Sequence, residues 1–247
     1  MRTQKIKFPE QEVLCFFPND RSDLGQAISE LSLEDGSPVI VLTGGGSDER
    51  ETDVTRRAIQ TIAGIADNLN AVVICEGTDS GVMAEIGQIR WKRGYTFSLV
   101  GIAPEELVTW VDGPSSKKFL WWGEKRWQLE PHYSNFILVP GSQFSDESPW
   151  VFDAATIVSK DHKSVTILIN GGDVSRMDVE LSLKIGRPVI ALSRTGGLAD
   201  EIARQPNRHE LITVAPANTA QQIIKVVQEA LTMTKSDIVI PSVFSAK

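Results

Sequence analysis

Several features that define particular classes of protein are scarce or missing in this sequence. No apolar run approaches the roughly 18 residues that a membrane-spanning helix needs, and the opening MRTQKIKFPEQE has no signal-peptide core. We therefore expect a cytoplasmic protein that does not contact a membrane. The chain has only two cysteines, Cys15 and Cys75, and both lie within apolar runs, which predicts buried free thiols.

The sequence also has fewer basic residues than acidic ones. The formal net charge of −7 argues against a general nucleic-acid binder, because such a protein needs a basic face. A small anionic ligand remains compatible with this charge, since backbone amides bind phosphate without any cationic side chain.

The usual catalytic and metal-binding motifs are absent from the sequence. The three histidines, His132, His162 and His209, are far apart and form no H-E-x-x-H pattern, so no metal site is expected. No G-x-S-x-G elbow marks a serine nucleophile. EGTDSG at 76–81 follows an apolar run, but its glycines have neither the dinucleotide-binding nor the P-loop spacing.

What the sequence does contain is a series of short, continuously apolar segments rich in β-branched residues. They predict strands that are covered on both faces, as in a parallel sheet. The segments are VIVL (39–42), VVI (72–74), LVGI (99–102), FILV (136–139), TILI (166–169), VIAL (189–192) and LITV (211–214). VLCFF (13–17) is predicted to be an additional edge strand.

Helical patterns alternate with these segments. Apolar residues recur at steps of three and four in 51–69 and 218–232, and a shorter amphipathic helix is predicted around Leu24–Leu31. Strands that alternate with helices predict an α/β fold, namely a doubly wound, mostly parallel Rossmann-like sheet of about seven strands with helices on both faces. No linker-like stretch divides the chain, so residues 1–247 are predicted to form a single domain.

The alternation is interrupted at about 104–134. This segment is much longer than the usual connection of about 4–6 residues. It could be a lid over a site, a subunit interface or a helical insertion that packs its own aromatic residues. It contains four of the six tryptophans and several cations: Trp110, Trp121, Trp122, Trp127, Lys117, Lys118, Lys125 and Arg126.

The strands are followed by loops rich in glycine. Because parallel strands all end at one edge of a sheet, these loops are predicted to converge on a ligand, and the helices that follow direct free amides towards an anion. The candidate ligand-binding residues are Thr43, Gly44, Gly45, Gly46 and Ser47; Glu76, Gly77, Thr78, Ser80 and Gly81; Pro140 and Gly141; Asn170, Gly171, Gly172 and Asp173; and Arg194, Thr195, Gly196 and Gly197.

Individual side chains in these loops have two interpretations. The serines and threonines could bond phosphate oxygens or simply cap the helices that follow. Asp79 and Asp173 are expected to act as helix caps, or to hold a ribose hydroxyl, because carboxylates repel phosphate. Arg194 is the one cation inside a glycine loop and is a candidate phosphate contact.

Five stretches together give a family resemblance: PVIVLTGGG, EGTDSGVMAEIG, NFILVPG, VTILINGGD and PVIALSRTGGLADEIA. The chain resembles the SLOG superfamily, which includes the LOG hydrolases, and more specifically the prokaryotic LSDAT family related to the cytosolic N-terminal region of TRPM channels. The resemblance covers most of residues 35–205. It implies a sensor domain that binds a nucleotide-derived ligand such as ADP-ribose or NAD, that requires no cofactor, and that forms homo-oligomers.

The same resemblance leaves an enzymatic alternative. LOG enzymes cleave the N-glycosidic bond of nucleoside monophosphates and carry a P-G-G-x-G-T-x-x-E signature. Here the stretch is N-G-G-D-V-S-R-M-D, in which Asp178 stands for the glutamate. Asp178 and Glu180 are therefore the weak catalytic candidates, although Glu180 would lie about 200° further around the helix.

Overall fold

The computed structural model describes residues 1–31, 33, 36–45, 52–111, 113, 126–160 and 163–232. The predicted ligand contacts Gly46 and Ser47, together with His162, lie outside the described residues, as does 114–125 of the tryptophan-rich insertion.

Eleven strands are present in the described part of the chain. They are β1 (Arg2–Lys7), β2 (Glu12–Phe17), β3 (Val39–Gly44), β4 (Val72–Cys75), β5 (Leu99–Pro104), β6 (Val108–Thr109), β7 (Trp127–Gln128), β8 (Asn135–Val139), β9 (Ser164–Ile169), β10 (Val189–Ser193) and β11 (Ile212–Pro216). Six of the seven apolar segments that predicted a strand lie within one of them, and LITV overlaps β11 from Ile212 onward.

Seven α-helices connect these strands in the described residues. They are α1 (Leu24–Glu30), α2 (Asp53–Leu69), α3 (Gly81–Arg93), α4 (Ser148–Ser159), α5 (Asp173–Lys184), α6 (Gly197–Arg204) and α7 (Ala220–Thr232). None of the helices in this part of the chain is long and apolar enough to cross a membrane.

Nine of the strands form one sheet in the order β1-β2-β8-β5-β4-β3-β9-β10-β11. All neighbouring pairs are parallel except β1 and β2. The mostly parallel α/β fold is confirmed, with two more strands than predicted. VLCFF forms strand β2 as predicted, but its predicted place at the edge is wrong, because β1 pairs outside β2.

Alternate residues of the central strands face opposite layers, which explains their continuous apolar runs. Ile40 and Leu42 of β3 pack with α2 and α7, whereas Val39 and Val41 pack with α1 and α4. A third cluster joins β10 to α6. Burial of both faces leaves the ends of the strands as the place where the sheet can meet a ligand.

The described part of the insertion is a short parallel ribbon of β6 and β7 preceded by a 3-10 turn at Glu105–Leu107. Trp110 is buried and lies 6.1 Å from the ring of Phe17. The isolated bridge between Thr78 and Leu129 ties the end of the insertion to the loop after β4. The end of the insertion therefore lies beside one of the loops that were predicted to bind a ligand.

Candidate functional site

The chain changes direction in the sheet at β3. From β3 it passes to β4 on one side, while β9 pairs with the other side of β3, so the carboxyl ends of β3 and β9 form a topological switch point. A cavity of about 320 Å³ lies there. It is lined by Gly44, Gly45, Glu76, Thr78, Ser80, Met83, Trp127, Phe144, Gly172, Asp173, Val174 and Ser175. Three of the glycine loops thus meet around one space.

Two helices begin at this cavity. Ser80 precedes α3, and its side chain makes no capping bond to that helix but lies 3.0 Å from the hydroxyl of Thr78. Gly172 precedes α5, and a Cβ at this position would meet open space. The first amides of an α-helix have no partner within the helix, so α3 and α5 both direct positive dipole ends towards the cavity. In α3 the Val82 amide already donates to the Gly45 carbonyl at 3.4 Å.

Gly77, in the loop after β4, is required by packing. It has a positive φ of 80°, and a Cβ there would lie 2.7 Å from the Cα of Gly101 and 2.9 Å from the ring of Phe136. The loop can therefore turn tightly against β5 and bring Thr78 and Ser80 to the cavity. Gly81, which opens α3, also has a positive φ.

The loop after β10 does not line the cavity, and its polar groups bond within the protein. The Arg194 amide donates to Oδ1 of Asp200 at 2.5 Å, and the Thr195 hydroxyl donates to the Leu192 carbonyl at 2.7 Å. The first amides of α6 are also used, because Leu198 donates to the Gly171 carbonyl. Arg194, Thr195, Gly196 and Gly197 instead support the neighbouring loop, where Thr195 Oγ1 accepts from the Asn170 amide.

Asn170 and Gly171 form the link between these loops. A Cβ on Gly197 would overlap the Asn170 side chain, and one on Gly45 would lie 3.1 Å from its amide nitrogen. The side chain of Asn170 therefore occupies the space between the loops after β3 and β10. Its contribution to the cavity is to position Gly172 and the start of α5.

Pro140 and Gly141, after β8, also lie behind the cavity wall. Gly141 packs against Asp146, whose Oδ2 accepts from the amides of Ser142 and Gln143 at 2.9 and 3.2 Å. These backbone bonds lower the pKa of Asp146. They fix a turn that carries Phe144 to the cavity.

One wall of the cavity is aromatic. The rings of Trp127 and Phe144 lie 6.2 Å apart in an edge-to-face arrangement, and Met83 completes the apolar surface. Neither ring was among the residues predicted to bind a ligand. The abundance of tryptophan in the insertion was a signal for Trp127, whereas nothing in the sequence distinguished Phe144.

Three carboxyl groups lie near the base of the cavity. Glu76 lines it, while Asp178 and Glu147 are buried behind it. Burial raises the pKa of Glu76 well above its usual range, and the nearby charges of Asp178 and Glu147 raise it further. The pKa of Glu147 rises to about 7 and that of Asp178 also rises, in both cases chiefly through burial.

Asp178 is held firmly in place. Its Oδ2 accepts a hydrogen bond from the Thr43 hydroxyl at 2.6 Å, and Ser148 bonds it from the start of α4. It does not line the cavity, and Glu180 is exposed. The carboxyl that the cavity presents to a ligand is therefore Glu76, accompanied by Asp173 at its rim.

Another buried carboxyl group lies in the insertion. Glu130 is buried, and its Oε1 lies 2.6 Å from Nδ1 of His132. Burial raises the pKa of Glu130 to about 7 against the opposing effect of this bond. The His132 ring lies beside Trp91 near the end of α3, with ring centroids 5.2 Å apart and the planes tilted by 37°. Among the described residues, no group of three His, Cys, Asp or Glu side chains could hold a metal ion.

A mostly parallel sheet with a cavity at its switch point defines a Rossmann-like α/β protein. A comparison with known families assigns the protein to a narrower class, because residues 37–234 match the family model described as SLOG in TRPM, prokaryote. The chain belongs to this family, known as LSDAT, which confirms the resemblance inferred from the glycine loops. A comparison with curated proteins finds no match to this chain.

Three solved structures share the fold. TM1055, a structural-genomics target, is 20% identical with a TM-score of 0.54 and covers 78% of this chain and 99% of its own. The molybdenum cofactor carrier protein of Chlamydomonas reinhardtii is 18% identical with a TM-score of 0.52 (79% and 98%). The molybdenum cofactor binding protein of Rippkaea orientalis is 17% identical with a TM-score of 0.55 (81% and 100%). At these identities the similarity concerns the fold.

Proposed function

We propose that this protein is a cytosolic binding or sensor domain for a ligand that joins a phosphate to a flat heterocycle. An ADP-ribose- or NAD-related nucleotide is the leading candidate. The observation that carries the proposal is the composition of the cavity lining. It combines the starts of α3 and α5 with the aromatic rings of Trp127 and Phe144.

The helix starts and the aromatic rings each match one part of such a ligand. Helix N-termini bind anions through free amides, and the hydroxyls of Thr78, Ser80 and Ser175 add further donors. Aromatic side chains bind the faces of planar bases by stacking. The volume of about 320 Å³ is at the lower end of the range for small-molecule sites, so it suits a mononucleotide-sized part of a ligand.

The molybdenum cofactor proteins with the same fold suggest a second ligand of this kind, the molybdenum cofactor that their names record. It belongs in the same binding experiment as the nucleotides. Homo-oligomer formation, as the family resemblance implies, is part of the proposal as well.

The alternative function is a LOG-like hydrolase that cleaves the N-glycosidic bond of a nucleotide. Such an enzyme needs a carboxyl beside the anomeric carbon. Asp178 is bonded to Thr43 behind the cavity wall and Glu180 is exposed, so Glu76 is the described carboxyl best placed for this role. Release of free base from AMP, NAD or ADP-ribose would favour the enzyme over the sensor.

Ligand binding can be measured by thermal unfolding with ADP-ribose, NAD, AMP and molybdenum cofactor. A ligand at about 100 times its Kd should stabilise the protein by about 2.7 kcal/mol. Trp127→Ala should weaken binding by about 1–3 kcal/mol, because one stacking surface is lost.

Trp91→Ala is the matched control for this substitution. Trp91 is 44% exposed, contacts His132 and does not line the cavity, so its removal should leave ligand affinity unchanged. If no ligand of the panel stabilises the wild-type protein, or if both tryptophan variants bind as well as wild type, the proposed site of helix amides and aromatic rings is contradicted.

A further inference from the structure

The charge of the cavity differs from that of most anion sites. Its described lining contains two acidic residues, Glu76 and Asp173, and no lysine, arginine or histidine. Within this described lining, attraction for an anion comes from the helix amides and hydroxyls. These groups stabilise a single negative charge well, but they provide no full positive charge to balance a second one.

Glu76 is also linked to a wider group of acids. Asp178 is tied to Thr43, which immediately precedes the cavity residue Gly44 on β3. Glu147 lies at the start of α4, next to Ser148, which bonds Asp178. Its Oε1 is buried without a hydrogen-bond partner among the described residues. The carboxyl groups of Glu76, Asp178 and Glu147 therefore all act electrostatically on the base of the cavity.

Building on the proposed function, we propose that Glu76 makes the cavity selective for phosphate groups with a single negative charge. Phosphodiesters and pyrophosphate linkages belong to this class, whereas terminal phosphates, which carry two charges at neutral pH, are disfavoured. Glu76 in its neutral form donates a hydrogen bond to a phosphate oxygen. When it loses its proton it repels the same oxygen, so binding weakens as the pH rises.

The other titratable groups around Glu76 reinforce this behaviour. Asp178 from α5 and Glu147 from α4 both disfavour its ionised form. Cys75 on β4 and Tyr133 before β8 lie close enough to be affected by Glu76, and burial raises the pKa of both, so they stay neutral. None of these groups supplies a positive charge. A second charge on the same phosphate group would therefore meet repulsion that no described side chain compensates, at a distance over which solvent screens little.

A matched pair of ligands tests the proposal. AMP and the methyl ester of its phosphate differ by one methyl group and by the second ionisation of the phosphate, whose pKa is about 6. Affinities are measured by calorimetry at pH 6, 7 and 8, with wild type, Glu76→Gln and the exposed control Glu210→Gln. Unfolding curves establish that each variant is folded under the same conditions.

We expect wild type and Glu210→Gln to bind the methyl ester about tenfold more tightly than AMP at pH 8. Their affinity for the ester, which has no ionisation in this range, should fall as the pH rises. In Glu76→Gln the difference between the two ligands should shrink below about threefold, and the pH dependence should flatten.

Equal binding of AMP and the ester by wild type, with no change between pH 6 and pH 8, would overturn the role of Glu76 while leaving the nucleotide site intact. A Glu76→Gln variant that keeps the full preference for the ester would also overturn it. If neither ligand nor any member of the nucleotide panel binds wild type, the proposed function fails instead, so the two failures are distinguishable.

Discussion

Glu147 precedes the first residue of α4 and is one of the few fully buried acids in the described structure. One of its oxygens accepts from the Ser145 amide at 2.9 Å, and the other has no partner there. Burial raises its pKa from 4.5 to about 7. The folded protein therefore binds this proton more tightly than the unfolded chain, and the resulting stability is lost as the pH rises through about 7.

Glu147→Gln should remove this loss of stability at high pH. Below about pH 4.5 the wild-type side chain is neutral in both states, whereas at pH 8 it is a buried charge with one unpartnered oxygen. We expect the variant to exceed wild type in free energy of unfolding by about 1–3 kcal/mol at pH 8 and by little at pH 5. Denaturant unfolding at both pH values measures the difference.

Glu106→Gln provides the control, because Glu106 is exposed. It should leave the pH profile of stability unchanged. A Glu147→Gln variant with the same slope between pH 5 and pH 8 as wild type would contradict the assignment of this buried charge.

Residues of the candidate site were predictable only where they follow a strand. Gly44, Thr78 and Gly172 come directly after apolar segments, so the sheet topology brings them together. Trp127 and Phe144 reach the same cavity from an insertion and from a turn after β8, and no local pattern determines those paths. The backbone contacts of the loop after β10 were equally hidden, because they depend on Asp200 and on the packing around Asn170.

Among the elements, α3 connects the cavity to the opposite edge of the sheet. Its first residues line the cavity, and Gly87 in its middle lies directly under the buried carboxylate of Glu130. The absence of a side chain at Gly87 lets the end of the insertion lie flat against the helix. In this way the helix also fixes the segment that carries Trp127.

Gly87→Ala should therefore destabilise the protein, although alanine is normally the better helix former. A Cβ at this position would overlap the Glu130 carboxylate, and we expect a loss of about 1–3 kcal/mol in free energy of unfolding. Ligand affinity should fall as well if Trp127 moves. Thermal or denaturant unfolding and a binding measurement on the same sample provide the readout.

Gly64→Ala in α2 is the matched comparison. A Cβ at Gly64 would make only an ordinary 3.6 Å contact with the Tyr95 hydroxyl, so this variant should be as stable as wild type or more stable by up to about 1 kcal/mol. If the two alanine variants have the same stability, the close packing of Glu130 on α3 is not as described.

The elements themselves were largely predictable, and the exception has a clear cause. All seven strands with apolar residues at consecutive positions were found, because burial on both faces leaves that pattern. β1 reads RTQKIK, and Ile6 is its only buried residue. An edge strand with one apolar residue has no pattern by which sequence could separate it from a loop.

For the molecule as a whole, the order of the strands decides where the site lies. The switch point between β3 and β9 gathers the loops after β3, β4 and β9, which together span more than a hundred residues of the chain. The loop after β10 is one strand further away and supports its neighbour instead. The sequence could predict that the loops lie at the same edge of the sheet. It could not predict the strand order, which determines how far each loop lies from the cavity.

The charged character of β1 has a consequence for how copies of this chain can meet. Its outer residues Arg2, Gln4, Lys5 and Lys7 are exposed, Lys5 pairs with Glu12 at 3.4 Å, and the Arg2 guanidinium lies over the Phe17 ring. Lysine-rich margins of this kind discourage one sheet from extending into another. Edge-to-edge extension of the sheet through β1 is thereby opposed.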